Sequence, residues 1–399
     1  MGIEIVSALK DGAYRAVALG NAVSMVGIWM QKVAVGWLAW DLSHSTAWLG
    51  AVAAADLLPA VLLSSFSGSL ADGRNKAGLV IVAQLAAMVQ ALILGVMTLA
   101  GSIDIWTLFF LTLALGVANS IDQPSRLSLL REVVAPQHLG SAVTLNALSF
   151  HVARFVAPMI AGLLIVHVQI GVTILVTATT LGFFAICLLR VPRQPRNDDV
   201  PRRKMLSATG DGYRYVVSNK AVRRALFVMV TFGVGVGGVN QLLPALAEKL
   251  FGRGVEGFVE LTAASGLGAV GAAIVMLVFP SRTRAMGYVS ACLLAAAAAL
   301  VVFVAAPSYW LGIAALFVAS FCSTFAGVTS QAALNMESRP DMLGRVMGVY
   351  SALVRGAPAA GGLLIGTLAP LTGFGPIIFA CAAWAGLYGL VLLKAAKRG

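Results

Sequence analysis

The 399 residues are 59% hydrophobic and 11% charged, with a mean hydropathy of +0.90. Soluble domains carry about 25% charged residues, so a soluble globular protein is excluded and an integral membrane chain is indicated. The formal net charge of +12 would point to nucleic acid in a soluble protein, but in a membrane protein basic residues first record orientation, and no nucleic-acid partner is expected.

The N-terminal stretch MGIEIVSALKDGAYR has no apolar region after a basic start and no cleavage site. A removed signal peptide is therefore not expected, and the first apolar run reads as a retained span. A helix crosses hydrocarbon with about 20 mostly apolar residues. Twelve such runs occur, at 16–40, 45–67, 77–100, 105–125, 141–166 and 169–190, then at 224–247, 258–280, 286–306, 309–332, 343–369 and 373–394. They are too long and too unalternating for barrel strands, and backbone groups in lipid must pair within the segment, so the expected fold is all-α. Domain boundaries follow: a six-helix bundle over 1–190, a basic linker over 191–223 and a second six-helix bundle over 224–399. The stretch around the linker, from Arg190 to Arg224, holds ten of the 28 Lys and Arg residues.

With twelve spans, both termini and the linker share one face. Twenty-three of the basic residues fall there, only Lys249 and Arg253 fall opposite, and Lys32, Arg154 and Arg355 lie inside spans. The positive-inside rule puts the termini and linker in the cytoplasm. Within the linker, Ser207–Lys220 has a helical pattern with Leu206, Tyr213, Val216 and Val217 as an apolar stripe. It reads either as a surface-lying helix or as a solvated connector.

The halves repeat. REVVAPQHLG (Arg131–Gly140) precedes span 5, which contains Pro158 and Gly162; MESRPDMLG (Met336–Gly344) precedes span 11, which contains Pro358 and Gly362. Spans 1 and 7 match in depth, so that Gln31 and Lys32 fall opposite Asn240 and Gln241. Paired six-span halves predict a substrate site near the bilayer midplane.

Charges inside spans are the sharpest functional signal, because each costs about 2.5–3.5 kcal/mol at a helix centre. Lys32 lies 11 residues before the turn near Ser43 and Asp56 lies 13 after it, so their depths differ by only about 3 Å at 1.5 Å per residue. The two can pair. They read either as a titratable couple that admits and releases a proton or as a static structural tether. Arg154 and Arg355 lie on helices that the repeat makes equivalent. Arg154, three residues after His151, reads as an anion ligand or as a partner of carbonyls and a facing helix. His151 reads as an interhelical hydrogen-bonding residue before a proton carrier. Arg355, three residues before Pro358, reads also as a partner for carbonyls that a proline frees. Asn21, Ser24 and Gln31 form a polar stripe in span 1, extended by Asn240 and Gln241 in span 7.

Several motifs carry no chemistry. The Gly233–Gly238 stretch GVGVGG formally contains G-x-G-x-x-G, but it lies inside an apolar span with no strand before it, and reads as a flexible, closely packed segment. There is no phosphate-binding loop, no metal-ligand spacing among His, Cys and carboxylates, and no credible nucleophile triad. The cysteines Cys187, Cys292, Cys322 and Cys381 all sit in apolar runs as packing residues. No enzymatic activity, cofactor or metal is expected.

The loop GSLADGRNK (Gly68–Lys76) resembles the signature of the major facilitator superfamily in its Gly68, Leu70, Ala71, Asp72 and Lys76, although Gly73 and Asn75 depart from it. Residues Asn146–Gly162, NALSFHVARFVAPMIAG, are similar to the enterobactin-exporter and macrolide-efflux branch, the matches being Asn146, Arg154, Ala157, Pro158, Ala161 and Gly162. The resemblance implies a major facilitator fold of two pseudo-symmetric six-helix bundles. It implies a latch at Gly68 and Asp72, with Arg74 or Lys76 supplying the positive charge, and a kinkable, closely packed helix at Asn146, Pro158 and Gly162. It further implies a monomeric secondary exporter of a small amphipathic or anionic molecule, siderophore- or drug-like, working by alternating access with proton antiport in contact with membrane lipid. The arginine that proton-coupled members carry in span 4, four residues before a glycine, is replaced by Thr112 before Gly116. An importer of an organic anion, a lipid transporter on the same architecture and a non-transporting receptor are the alternatives.

Overall fold

The structure is a computed structural model, and it describes residues 12–71, 76–135, 138–191, 214–278, 285–339 and 342–396. Long apolar runs become long helices because only intra-segment hydrogen bonds satisfy a backbone in lipid. The first six are α1 (Gly12–Ser43), α2 (Thr46–Ala71), α3 (Lys76–Leu99), α4 (Ile105–Val133), α5 (Leu139–His167) and α6 (Ile170–Leu188). The seventh expected span is broken into α7 (Lys220–Phe232), a π-helical turn (Gly233–Gly237), α8 (Gly238–Gln241) and α9 (Leu243–Phe251). Then come α10 (Val255–Val278), α11 (Ala285–Ala305), α12 (Tyr309–Glu337), α13 (Leu343–Thr372) and α14 (Phe374–Ala396).

Ten of these segments are long and apolar enough to cross a membrane by length and composition, and α2 and α5 contribute the shorter apolar runs Thr46–Pro59 and Val152–His167. Among the described residues there is no β-strand. The fold is the all-α, twelve-span membrane architecture expected from the runs.

Short polar caps set the ends. Asp104 accepts from the Thr107 backbone N–H at 3.0 Å before α4, Asn219 from those of Ala221 and Val222 at 3.0 and 3.2 Å before α7, and Ser308 from that of Leu311 at 3.4 Å before α12. The Thr107 hydroxyl and backbone N–H hold the Asp104 carboxyl below its ordinary range. Gly252 and Gly373 close α9 and α13 at φ of 62° and 80°, a region open to glycine at little cost.

The chain forms two compact units, Met1–Leu42 with Ala55–Arg203, and Ser43–Ala54 with Lys204–Gly399. In the first, α3 packs on α4 and α6; in the second, the corresponding α11 packs on α12 and α14. The same pairing recurs in both units, as the sequence repeat requires. In the second unit the opening turns of α2 lie along α13, where the Thr46 hydroxyl donates to the Gly366 carbonyl at 2.6 Å.

The glycine-rich stretch adopts its π-turn against the proline region of α13. A Cβ on Gly233 would sit 2.5 Å from the Ala357 Cβ, one on Gly238 would sit 2.7 Å from the Gly361 carbonyl carbon, and one on Gly361 would sit 2.3 Å from the Val234 carbonyl oxygen. Small residues here let two backbones touch, and that contact supplies the dispersion energy that lipid cannot. The Asn240 amide donates to the Val236 carbonyl at 2.9 Å, satisfying an acceptor in the disturbed turn.

Part of the expected linker helix lies outside the described residues. Residues 214–218 are helical, and Tyr215 and Val216 pack on a cluster of Val222, Ala225, Leu226, Leu334 and Val346, while Val217 is 48% exposed. Of the stripe's described residues, Val216 is thus packed and Val217 open.

The glycine contact gives a paired test. Gly361→Ala should lower the thermal stability of the purified protein by about 1–3 kcal/mol, the usual cost of overpacking. Gly348→Ala, on the same helix where an added Cβ meets nothing within 4 Å, should leave it unchanged or raise it by up to about 1 kcal/mol. Thermal unfolding in detergent distinguishes the two.

Candidate functional site

Of the ionised side chains expected inside spans, Lys32, Asp56 and Arg154 lie in the first unit. Lys32 of α1 and Asp56 of α2 form an ion pair at 3.0 Å, with side chains 40% and 15% exposed. Gly116 makes the approach possible. A Cβ there would stand 2.7 Å from the carbonyl oxygens of both Ala55 and Asp56, so α4 touches the α2 backbone at the turn that carries the carboxylate. One turn further along α4, the Asn119 amide reaches the same carboxylate at 3.5 Å.

A second pair, absent from the sequence reading, lies on α4. Arg126 meets Asp122 at 2.6 Å, and the side chains are only 12% and 4% exposed. Ending the fourth span at residue 125 assigned Arg126 to a loop; the helix continues to Val133 and carries it inside. Each member of this pair has further partners. The Gln84 amide of α3 donates to Asp122 at 3.0 Å and accepts from the Ser24 hydroxyl at 3.2 Å. Arg126 donates to Asn21 of α1 at 2.6 Å, and Asn21 donates to Asn146 of α5 at 2.9 Å. The guanidinium carbon lies 4.7 Å from the centre of the buried Phe184 ring. The result is a continuous hydrogen-bonded network across α1, α3, α4 and α5, with both charges neutralised locally.

Lys32 of the first pair and both members of the second border one cavity of about 370 Å³, lined by α1, α4 and α5. Lys32, Asp122, Arg126, Asn21, Asn146 and Ser149 supply its polar lining, and Met25, Ile28, Trp29, Leu130, Leu145 and Phe150 its apolar lining. Trp29 meets Phe150 edge-on, with centroids 5.7 Å apart, and Lys32 lies 5.3 Å from the Trp29 ring centre. Such a chamber suits a ligand with one charged end and one apolar body.

The other expected residues fall elsewhere. Arg154 lies 5.5 Å from the Trp29 ring centre, a cation–π contact onto α1, and is not among the residues lining the cavity. Gln31 is 2% exposed and donates to Gln90 at 2.9 Å, a packed interhelical bond. Asn240, Gln241 and Arg355 belong to the second unit; a Cβ on Gly362 would stand 3.0 Å from the Gln241 Cβ. Lys76 is engaged by Glu132, which ties the start of α3 to the end of α4. Asp72 and Arg74 lie outside the described residues, as do the side chain of His151 and the surroundings of Gly68. Pro158 and Gly162 are buried within α5.

A sequence profile of transmembrane secretion effectors matches residues 4–397. The chain belongs to the transmembrane secretion effector family. Among its curated relatives, the staphyloferrin A transporter of Staphylococcus aureus is 24% identical over 276 residues, covering 66% of each chain. The enterobactin exporter EntS of Shigella boydii serotype 4 is 25% identical over 387 residues, covering 96% of this chain and 91% of that one. Among solved structures, the nucleoside transporter NupG matches with a TM-score of 0.73 at 13% identity, over 97% of this chain and 99% of that one. A POT-family transporter in complex with 5-aminolevulinic acid gives a TM-score of 0.74 at 11% identity, over 96% of each chain. The protein is accordingly a multi-pass membrane transporter of the major facilitator type, similar to siderophore exporters at low identity.

Removing only Lys32, the more exposed member of its pair, leaves the less exposed Asp56 with its desolvation penalty and no partner. Lys32→Met should therefore destabilise the protein by about 1–3 kcal/mol, and adding Asp56→Leu should recover most of that loss. Unfolding of the two single variants and the double variant in one detergent gives the coupling; additive losses would mean that the pair carries no mutual stabilisation.

Proposed function

We propose that the protein exports a small amphipathic or anionic molecule, siderophore- or drug-like, from a bacterial cell by alternating access in exchange for protons, with both termini and the basic linker in the cytoplasm. The observation that carries this reading is the cavity of about 370 Å³ with Lys32, the partner of Asp56, and the Asp122–Arg126 pair on its border and an aromatic wall beside them. The names of the siderophore-transporting relatives support the substrate class, and the concentration of Lys and Arg in the linker supports the orientation.

Asp56 is the proposed coupling carboxylate. Its partner Lys32 is 40% exposed, whereas Arg126 is 12% exposed and held in a wider network, so the Lys32–Asp56 pair is the easier of the two to open. A proton arriving on Asp56 cancels the attraction to Lys32 and leaves an ammonium facing the cavity; deprotonation restores the pair. Protonation thereby changes the charge that the cavity presents to substrate, which links the two binding events. Trp29 and Phe150 supply the apolar surface.

Proteoliposomes with an imposed pH gradient and a panel of radiolabelled siderophores and amphipathic carboxylates test the reading. The gradient should accelerate flux of at least one compound, and Asp56→Asn should insert normally while losing that acceleration. Gradient-driven flux that survives unchanged in Asp56→Asn would remove Asp56 from coupling; no gradient response for any compound would contradict proton exchange.

A further inference from the structure

The Asp122–Arg126 pair has a geometry that a structural tether does not need. Its side chains border the cavity instead of closing a helix interface away from it. Arg126 is held from three sides: Asn21 takes one terminal nitrogen at 2.6 Å, Asp122 takes the other at 2.6 Å, and Phe184 backs the guanidinium plane at 4.7 Å. Its Nε–H finds no acceptor, although the atom is buried. A guanidinium braced in this way is a fixed two-pronged donor whose capacity Asp122 only partly fills. Asp122, in contrast, has an alternative partner for its charge, since Gln84 already donates to its other oxygen at 3.0 Å.

We propose that Arg126 is the anchor for a carboxylate-bearing amphipathic ligand and that Asp122 is a built-in competitor occupying the anchor when the cavity is empty. The chemical class follows from the occupant. The group that Arg126 holds at rest is itself a planar two-oxygen anion, bound through one oxygen, and a ligand carboxylate takes its place on that nitrogen and adds a second bond from the open Nε–H, bidentately. Asn21 and Asn146 keep the guanidinium aimed at the cavity through exchange, while Gln84 retains the displaced Asp122. The apolar body of the ligand lies against Met25, Ile28, Leu130 and Leu145. This inference rests on the reading of the cavity as the substrate site, and it names the substrate's charged end.

The test is equilibrium binding to the purified full-length protein in nanodiscs, by calorimetry and without any gradient, using 2-naphthoate and its neutral analogue 2-naphthamide. Asp122→Asn removes the competitor's charge and should tighten 2-naphthoate about tenfold or more with little change for 2-naphthamide. Arg126→Gln should weaken 2-naphthoate by about 10- to 100-fold, the worth of a hydrogen bond between charged groups, and leave the amide unchanged. Should Arg126→Gln fail to yield monodisperse protein, Arg126→Lys keeps the charge without the fork and should show the same selective loss. Equal changes for both probes, unchanged or weaker 2-naphthoate binding in Asp122→Asn, or no 2-naphthoate binding at all would overturn the proposal. Because no gradient is present, failure of proton coupling in proteoliposomes would leave a positive result here standing.

Discussion

An ionised side chain in hydrocarbon must be compensated where it stands, and this single constraint orders the first unit. Each uncompensated charge at a helix centre costs about 2.5–3.5 kcal/mol on insertion scales, a large share of the roughly 5–15 kcal/mol that stabilises a folded domain. Lys32 answers Asp56 across α1 and α2, and Arg126 answers Asp122 one turn apart on α4. These pairings fix more than charge. The first sets the register of two antiparallel helices and needs Gly116 to bring α4 against the α2 backbone. The second draws in Ser24, Gln84, Asn21 and Asn146, so that α1, α3, α4 and α5 share one hydrogen-bonded network beside the cavity. The polar lining of a membrane chamber is thus also what holds its walls together.

The second unit reaches close packing by a different device. Where α1 and α5 are joined by side-chain amides, the repeat-related α7–π-turn and α13 are joined by bare backbone, glycine against glycine, alanine and proline. Lipid tails are as apolar as leucine, so helix association there depends on contact distance and not on escape from water. Such contacts tolerate almost no added volume. One half of the repeat therefore concentrates its chemistry and the other its steric precision, while both keep the same order of helix pairing.

The spans and the Lys32–Asp56 pair were legible because each depends on one local quantity. An apolar run of sufficient length has one outcome in lipid, and two opposite charges at equal depth on consecutive helices have few other partners. The Asp122–Arg126 pair was hidden by the way hydropathy ends a span: a proline and an arginine at 124 and 126 look like the start of a loop, yet the helix runs on to Val133. The i, i+4 spacing of Asp122 and Arg126 was the available signal. The contributions of Gln84 and Asn146 depend on how α3 and α5 are rotated about their axes, which no periodicity states. Likewise, GVGVGG announced close packing, while the π-turn arose from what α13 presents to it. The Lys76–Glu132 contact was hidden for the same reason, since Glu132 on α4 is a neighbour only after folding.

If local neutralisation is what the architecture depends on, both paired carboxylates, Asp56 and Asp122, must be ionised in the resting protein. Infrared difference spectroscopy of the protein in lipid at neutral pH, comparing it with Asp56→Asn and with Asp122→Asn, reads this directly. The account requires each substitution to remove a carboxylate stretch. Loss of a carboxylic-acid carbonyl stretch instead would mean that the cations are balanced by something other than these aspartates, and would contradict it.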